Sequence, residues 1–260
     1  MRAIKNLFVL AIILAILAGA ATIGLRVARG KPSGVEEVKP GIVMTSSVSA
    51  YVYGAKIGNK VVLFDAGADP AGAPIDALLA WLHAGRSDVT DVFVTHGHGD
   101  HTAGVAAIGS PHIHLGTGDL ALAEKKVPPE ALAGKAFTLA MGSPAVTAND
   151  PITGPQTFEV GVGPDAKKIK AFPIPGHTPG SYAFLYDGVL FVGDAMVFKQ
   201  GRLDPAMKLF DAHPDENKAS IRALQKQIEK EEIDIVCTGH GGCTPKGMGS
   251  NQLTDLIARL

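Results

Sequence analysis

Only two cysteines and one tryptophan occur among the 260 residues. Two cysteines cannot build a disulfide framework or a four-cysteine zinc site. Cys237 reads as strand core and Cys243 as lying near a site rim, and if the domain is exported the two could form a disulfide. Charge is scarce as well: Asp, Glu, Lys and Arg make up 19% and the formal net charge is −1. There is no basic excess to support nucleic acid as the main partner. No internal repeat is visible. What the chain does have is apolar residues, 46% of the total, enough for a sizeable core and too many for wholesale disorder.

The near-neutral charge sums two unlike parts. Residues 1–30 hold Arg2, Lys5, Arg26 and Arg29 and no acid, so the remainder has 24 − 4 = 20 basic against 25 acidic residues, a net of −5. Between the basic groups, Leu7 to Leu25 runs for 19 residues without a charge, about 28 Å as a helix at ~1.5 Å per residue, which spans a bilayer core. Residues 1–30 are therefore expected to be a signal anchor or signal peptide, with Ala18-Gly19-Ala20 as a candidate cleavage site and membrane contact through residues 7–25. A membrane-anchored or exported protein follows, its main domain on the non-cytoplasmic side. Basic residues flank both ends of the run and nearly tie the orientation.

Lys31 to Pro40 reads as a short polar linker, residues 31–40, leading into one domain over 41–260. Strands are expected at Gly41–Ser46, Ala50–Ile57, Val61–Phe64, Val92–Val94, Ile113–Leu115, Thr157–Val162, Ile169–Phe172, Ser181–Tyr186, Val189–Val192 and Ile233–Cys237. Gly58-Asn59 and Asp187-Gly188 supply hairpin turns. Helices are expected at Ile75–His83, Leu120–Lys126, Asn217–Glu231 and Asn251–Leu260. Residues 127–156, rich in Pro, Gly, Ala and Thr, read as an irregular loop in a position to cover a substrate. Strand clusters each followed by helices suggest an α/β domain of two packed sheets with helices outside.

Histidine placement points to chemistry. His96, His98, Asp100 and His101 lie within Thr95-His96-Gly97-His98-Gly99-Asp100-His101, directly after an apolar strand. Alternation sends His96 and His98 to one side, and the two glycines let the backbone turn so that Asp100 and His101 point back. Imidazole and carboxylate suit zinc or a similar divalent ion, and four ligands on one short turn suggest two neighbouring ions. Three further candidates sit at strand ends beside glycine: His177 in Pro175-Gly176-His177-Thr178-Pro179-Gly180, Asp194 after Gly193, and His240 in Gly239-His240-Gly241. His83, His112, His114 and His213 lack this context and are expected to be packed or surface residues.

In this order the seven residues resemble the metallo-β-lactamase fold superfamily, over about residues 40–245. The resemblance implies a four-layer αββα sandwich, here preceded by an N-terminal hydrophobic helix, with a dinuclear site at one edge. Carried over, His96, His98 and His177 would hold one ion, Asp100, His101 and His240 the other, and Asp194 would bridge. Leu63-Phe64-Asp65-Ala66-Gly67 resembles the family's early strand and turn, with Asp65 orienting a ligand histidine. Two zinc ions per chain are implied, with iron or manganese as alternatives. The implied function is a glyoxalase II-like hydrolase of a small ester, thioester or lactone, with Asp100 orienting hydroxide and moving its proton. A β-lactamase, a mono-iron persulfide dioxygenase and a non-catalytic metal-binding member stand as alternatives. True β-lactamases generally lack the aspartate bridge, and flavodiiron reductases place a glutamate where His98 stands. Only 20 residues follow His240, so the helical domain that follows in glyoxalase II is expected to be missing. Phe198-Lys199-Gln200-Gly201-Arg202 is expected near the pocket, where Lys199 or Arg202 would either meet a substrate carboxylate or stand as a solvated charge.

Overall fold

The computed structural model describes residues 2–48, 50–161 and 163–260, without the side chains of 2–9 and 12. The expected flanking charges Arg2 and Lys5, and the strand end at Val162, lie outside what is described. A first sheet has seven strands in sequence order: β1 (Glu36–Lys39), β2 (Ile42–Ser47), β3 (Ala50–Ile57), β4 (Lys60–Phe64), β5 (Val89–Val94), β6 (His112–Gly116) and β7 (Asp150–Ile152). β1 to β4 form an antiparallel meander, and β4 to β7 run parallel. The second sheet contains β8 (Gln156–Val160), β9 (Lys167–Pro173), β10 (Tyr182–Tyr186), β11 (Val189–Phe191) and, beyond a separate β12 (Met196–Lys199) and β13 (Arg202–Pro205) hairpin, β14 (Ile235–Cys237). Its order is β14-β11-β10-β9-β8, with β14 parallel to β11.

Both faces of the central strands are buried, and their side chains alternate between two cores, as period-2 geometry requires. In β4, Val62 and Phe64 enter the core between the sheets, while Val61 and Leu63 face the outer layer. In β10, Tyr182, Phe184 and Tyr186 point inward and Ala183 and Leu185 outward. Phe64 of one sheet stacks on Phe191 of the other with ring centroids 3.8 Å apart. The outer face of the first sheet is covered by α2 (Ala73–Trp81) through Ile75, Leu78 and Leu79. That of the second is covered by α6 (Pro214–Gln227) and α7 (Gly249–Arg259), through Ile221, Leu224, Leu253 and Leu256. The layers are helix, sheet, sheet, helix. Short α3 (Gly99–Thr102) and α4 (Leu120–Ala123) follow β5 and β6.

Three expectations change. The segment read as a linker supplies β1, which pairs with β2. The segment 127–156 is not irregular: it contains α5 (Leu132–Met141) and β7. The third change concerns the N-terminus. Residues Arg2–Ala28 form a helix, α1, but no helix, searched over the described residues, is long and apolar enough to cross a membrane. The uncharged run Leu7 to Leu25 lies within this helix. The basic residues after it turn onto the domain. Arg26 Nε donates to the Ala140 carbonyl at 2.9 Å and Arg29 Nη1 to that of Met141 at 2.7 Å, satisfying the last turn of α5. The expected membrane anchor through residues 7–25 is corrected accordingly.

Candidate metal centre

All seven predicted ligands converge at one edge of the sandwich, where β5, β11 and β14 end. β5 delivers Thr95 and His96 and turns into α3, which carries Asp100 and His101. The β9–β10 turn delivers His177, the turn after β11 delivers Asp194, and the turn after β14 delivers His240. Backbone bonds lock these ends together: Tyr182 N–H donates to the Thr95 carbonyl at 2.8 Å and Gly239 N–H to that of Gly193 at 2.8 Å. Gly239 has to be glycine, because a Cβ there would overlap Asp194 Oδ1 and crowd the His101 ring. Cys237 and Cys243 are disulfide-bonded across the turn that presents His240.

The donor atoms form two groups. His96 Nε2 and His177 Nε2 lie 3.0 and 3.1 Å from His98 Nδ1. Around the second point, His240 Nε2 lies 3.3 Å from both Asp100 Oδ2 and Asp194 Oδ2. His101 Nε2 is 3.8 Å from Asp100 Oδ2 and 3.5 Å from Asp194 Oδ1. Asp194 reaches both groups, since its Oδ2 also stands 3.7 Å from His177 Nε2. Neighbouring donors on a tetrahedral zinc stand about 3.3 Å apart, given Zn–N of about 2.05 Å. The observed separations bracket that value. Buried His101 Nε2 and Asp194 Oδ1 have no hydrogen-bond partner within the protein, an arrangement that costs free energy unless a bound group satisfies them. The residues therefore fit divalent ions, and three overlapping sets meet the geometry of a metal-holding group: His96, His98 and His177; His96, His101 and Asp194; Asp100, His101 and His240.

Protonation follows position. Burial holds His96 and His98 below the ordinary histidine range and takes His177 down to about 3, so all three are neutral donors at pH 7. For His101 and His240 burial acts the same way but loses. Asp194, Asp65 and Asp100 raise His101 well above its usual value, and Asp194 and Asp100 push His240 up to about 10. Burial opposes ionisation of Asp100 and Asp194, yet the facing histidines hold both below the usual carboxylate range.

A supporting shell fixes these side chains. Asp65, buried with a left-handed backbone (φ 59°), accepts from Thr95 N–H at 2.7 Å, from the Thr95 hydroxyl at 2.8 Å and from His101 Nδ1 at 2.8 Å. Once a metal displaces the other proton, the one that remains on His101 would sit on Nδ1 and the Nε2 lone pair would face the cluster. Asp119, fully buried, plays the same part for the other group. It accepts from Gly97 N–H at 2.7 Å, the Thr178 hydroxyl at 2.6 Å and Gly180 N–H at 2.8 Å, tying the two histidine turns together. Sequence reasoning missed Asp119. The signal was present: Gly118-Asp119 closes an apolar strand as Gly193-Asp194 does.

The centre floors a cleft of about 230 Å³ bordered by His98, Asp100, His177, Asp194 and His240. Its walls are Gly134, Phe137 and Thr138 of α5, with Met207 and Phe210 opposite. Residues 198–202 do not line it. They form the β12–β13 hairpin, where Lys199 and Arg202 stand 3.9 and 3.3 Å from Asp204, so the expected pocket role of this segment is corrected. His112 and His114 pair with Asp150 and Asp91, at 2.8 and 2.9 Å. His213 pairs with Glu130 at 3.0 Å. None of the three belongs to the cluster.

The family model described as the metallo-beta-lactamase superfamily matches residues 44–240. The chain belongs to this superfamily. Among curated relatives it is similar to a hydroxyacylglutathione hydrolase of Halorhodospira halophila, 32% identical over 191 residues, 73% of this chain and 60% of the relative. A second hydroxyacylglutathione hydrolase, from Shewanella sp. (strain ANA-3), is 32% identical over 158 residues, 60% of this chain and 50% of the relative. The chain thus spans only about half to three-fifths of those relatives' length. Among solved structures, a subclass B3 metallo-beta-lactamase of Bradyrhizobium japonicum shares the fold with TM-score 0.62 at 21% identity, covering 89% of this chain and 94% of that one. The B3 metallo-beta-lactamase BLEG-1 aligns with TM-score 0.59 at 26% identity over 79% of this chain and 91% of that one.

Proposed function

We propose that the protein is a metal-dependent hydrolase of a small ester, thioester or lactone, holding two divalent ions, zinc by the chemistry of its donors. His96, His98 and His177 would hold one ion and Asp100, His101 and His240 the other, with Asp194 between them. The observation that carries this reading is one carboxylate within 4 Å of donors from both groups. Ions held there supply water ionised near neutral pH and polarise a carbonyl oxygen.

The chain's own groups do the rest. Asp100 borders the cleft and is kept ionised by its histidine neighbours, so it can orient a water and accept its proton. His96, His98 and His177 stay neutral through burial and donate lone pairs rather than competing as cations. Asp65 and Asp119 hold the rings in place, which limits reorganisation during turnover. The thioester branch is favoured by the hydroxyacylglutathione hydrolases among the relatives, since hydroxyacylglutathione is a thioester.

Metal analysis of the purified protein together with a hydrolysis screen over thioesters, lactones, β-lactams and phosphodiesters tests this reading. Two ions per chain and turnover of a thioester, ester or lactone are expected, with Asp100→Ala losing turnover. Fewer than one ion per chain with no hydrolysis after adding zinc or iron would sink the reading, and so would an Asp100→Ala variant with unchanged activity. Oxygen uptake with a persulfide would assign the protein to sulfur oxidation instead.

A further inference from the structure

The cleft has a chemical bias that the ligand set does not dictate. Above the charged floor its walls are aromatic and thioether: Phe137 on α5, Phe210 and Met207 opposite. Both phenyl rings are only half-buried and Met207 is 44% exposed, so apolar surface stands open to water beside the centre. No lysine or arginine lines the cleft among the described residues. The nearest expected cations, Lys199 and Arg202, face Asp204. Lys125 and Lys135 border an adjoining depression that shares only His98 and Thr138 with the cleft.

We infer that this cleft receives the acyl part of the substrate as an uncharged apolar group, with Phe137, Met207 and Phe210 setting its length. The inference rests on the hydrolase reading above and deepens it by naming the acyl class. At about 230 Å³ the space falls below the roughly 300–1,000 Å³ of sites that enclose a drug-sized ligand. It therefore suits one short to medium acyl chain rather than a whole large molecule. Each methylene moved from water to such walls gains about three- to fourfold in binding. A terminal carboxylate would instead be desolvated against phenyl and thioether groups with no partner. The unbranched Met207 lets the wall adapt to chains of different length.

The test is a series of thioesters of one thiol carrying acetyl, butanoyl, hexanoyl, octanoyl and succinyl groups, assayed with the metal-loaded protein. In parallel, calorimetry measures binding of butanamide, octanamide and succinamate to metal-loaded and metal-free protein. We expect kcat/KM to climb about three- to fourfold per methylene until the cleft is full. Succinyl should fall at least tenfold below butanoyl, and octanamide should bind more tightly than butanamide. Phe210→Ala should cut the octanoyl-to-acetyl ratio at least tenfold, Phe210→Leu less, and Phe137→Lys should shift preference toward succinyl. Equal kcat/KM from acetyl to octanoyl, or a succinyl preference in the unmodified protein, overturns the inference and leaves the hydrolase reading standing. Absence of hydrolysis alongside octanamide binding that Phe210→Ala weakens overturns the hydrolase reading and keeps the apolar cleft. Absence of both overturns both.

Discussion

Asp65→Asn isolates the orientation of one ring from the presence of the ligands. Asp65 touches no other predicted ligand: it accepts hydrogen bonds from His101 Nδ1 and from the amide and hydroxyl of Thr95. Asparagine matches it in size, so the backbone turn is kept. Its amide oxygen can still serve the Thr95 N–H, but its NH₂ then faces His101 Nδ1 as a donor. When the ring gives up one proton, the one it keeps stays on Nε2, the atom that faces Asp100 and Asp194 at 3.8 and 3.5 Å. A proton there occupies the lone pair a metal needs. Loss of a hydrogen bond to a charged acceptor costs about 1.5–3 kcal/mol, equivalent to about ten- to hundredfold in affinity, the usual range when a metal ligand loses its orienting partner. Chelator-competition titration should find the tighter ion retained and the second weakened by that factor, with turnover falling in step and partly restored by excess zinc. Thermal melts of the metal-free variant separate this from misfolding. Wild-type affinity for both ions in Asp65→Asn would refute the argument that Asp65 sets the His101 tautomer.

Gly239→Ala places a methyl group against Asp194 Oδ1 and the His101 ring without requiring a left-handed backbone. We expect metal content to drop from two ions per chain to at most one and turnover to fall at least about a hundredfold, with an overpacking cost of about 1–3 kcal/mol in thermal melts; full metal content would contradict the geometry. In the metal-free protein at pH 7, His101 and His240 are protonated while His96, His98 and His177 are not. Filling the Asp100 group should therefore release about two protons, its affinity should weaken as pH falls, and the His96 group should be nearly pH-independent above about pH 6.5. Calorimetry in buffers of different ionisation heat measures this, and zero release would refute the assignment. Reducing the Cys237–Cys243 bond opens a short loop, six residues in separation, around His240. A loss of about 2 kcal/mol of stability is expected, together with weaker metal binding at the Asp100 group, and an unchanged melting temperature and metal stoichiometry would argue against the clamp.

How much was legible depended on distance along the chain. The histidine-rich turn could be read because His96, His98, Asp100 and His101 are close in sequence and follow an apolar strand. Their glycines announce a sharp turn, and His177, Asp194 and His240 each stand beside glycine at a strand end. Asp119 carries the same mark, a glycine beside it after an apolar strand, but its role depends on Gly97, Thr178 and Gly180, which are 22, 59 and 61 residues away. α5 reads as loop because the segment around it is rich in Pro, Gly, Ala and Thr and weakly patterned; in the fold its Leu132 and Leu139 stay exposed, at 80% and 81%, so the helix buries little apolar surface. The N-terminal run misled because composition alone counts uncharged residues. In the fold the run is part of α1, and Arg26 and Arg29 after it cap the end of α5.

The sequence by itself determined the layer pattern, through period-2 alternation in strands buried on both faces, and it picked out the candidate ligands, through residue type beside glycine. Only the tertiary structure decided which donors share a point in space, where the protons sit and what faces the cleft. Those properties arise from contacts between segments far apart in the chain: Asp65 against His101, Asp119 between two turns, Asp194 between two donor groups, and α5 against the 207–210 segment. Burial and facing charge are set only when the sheets close. The same residue type therefore ends as a neutral donor at His177 and as a protonated ring at His240.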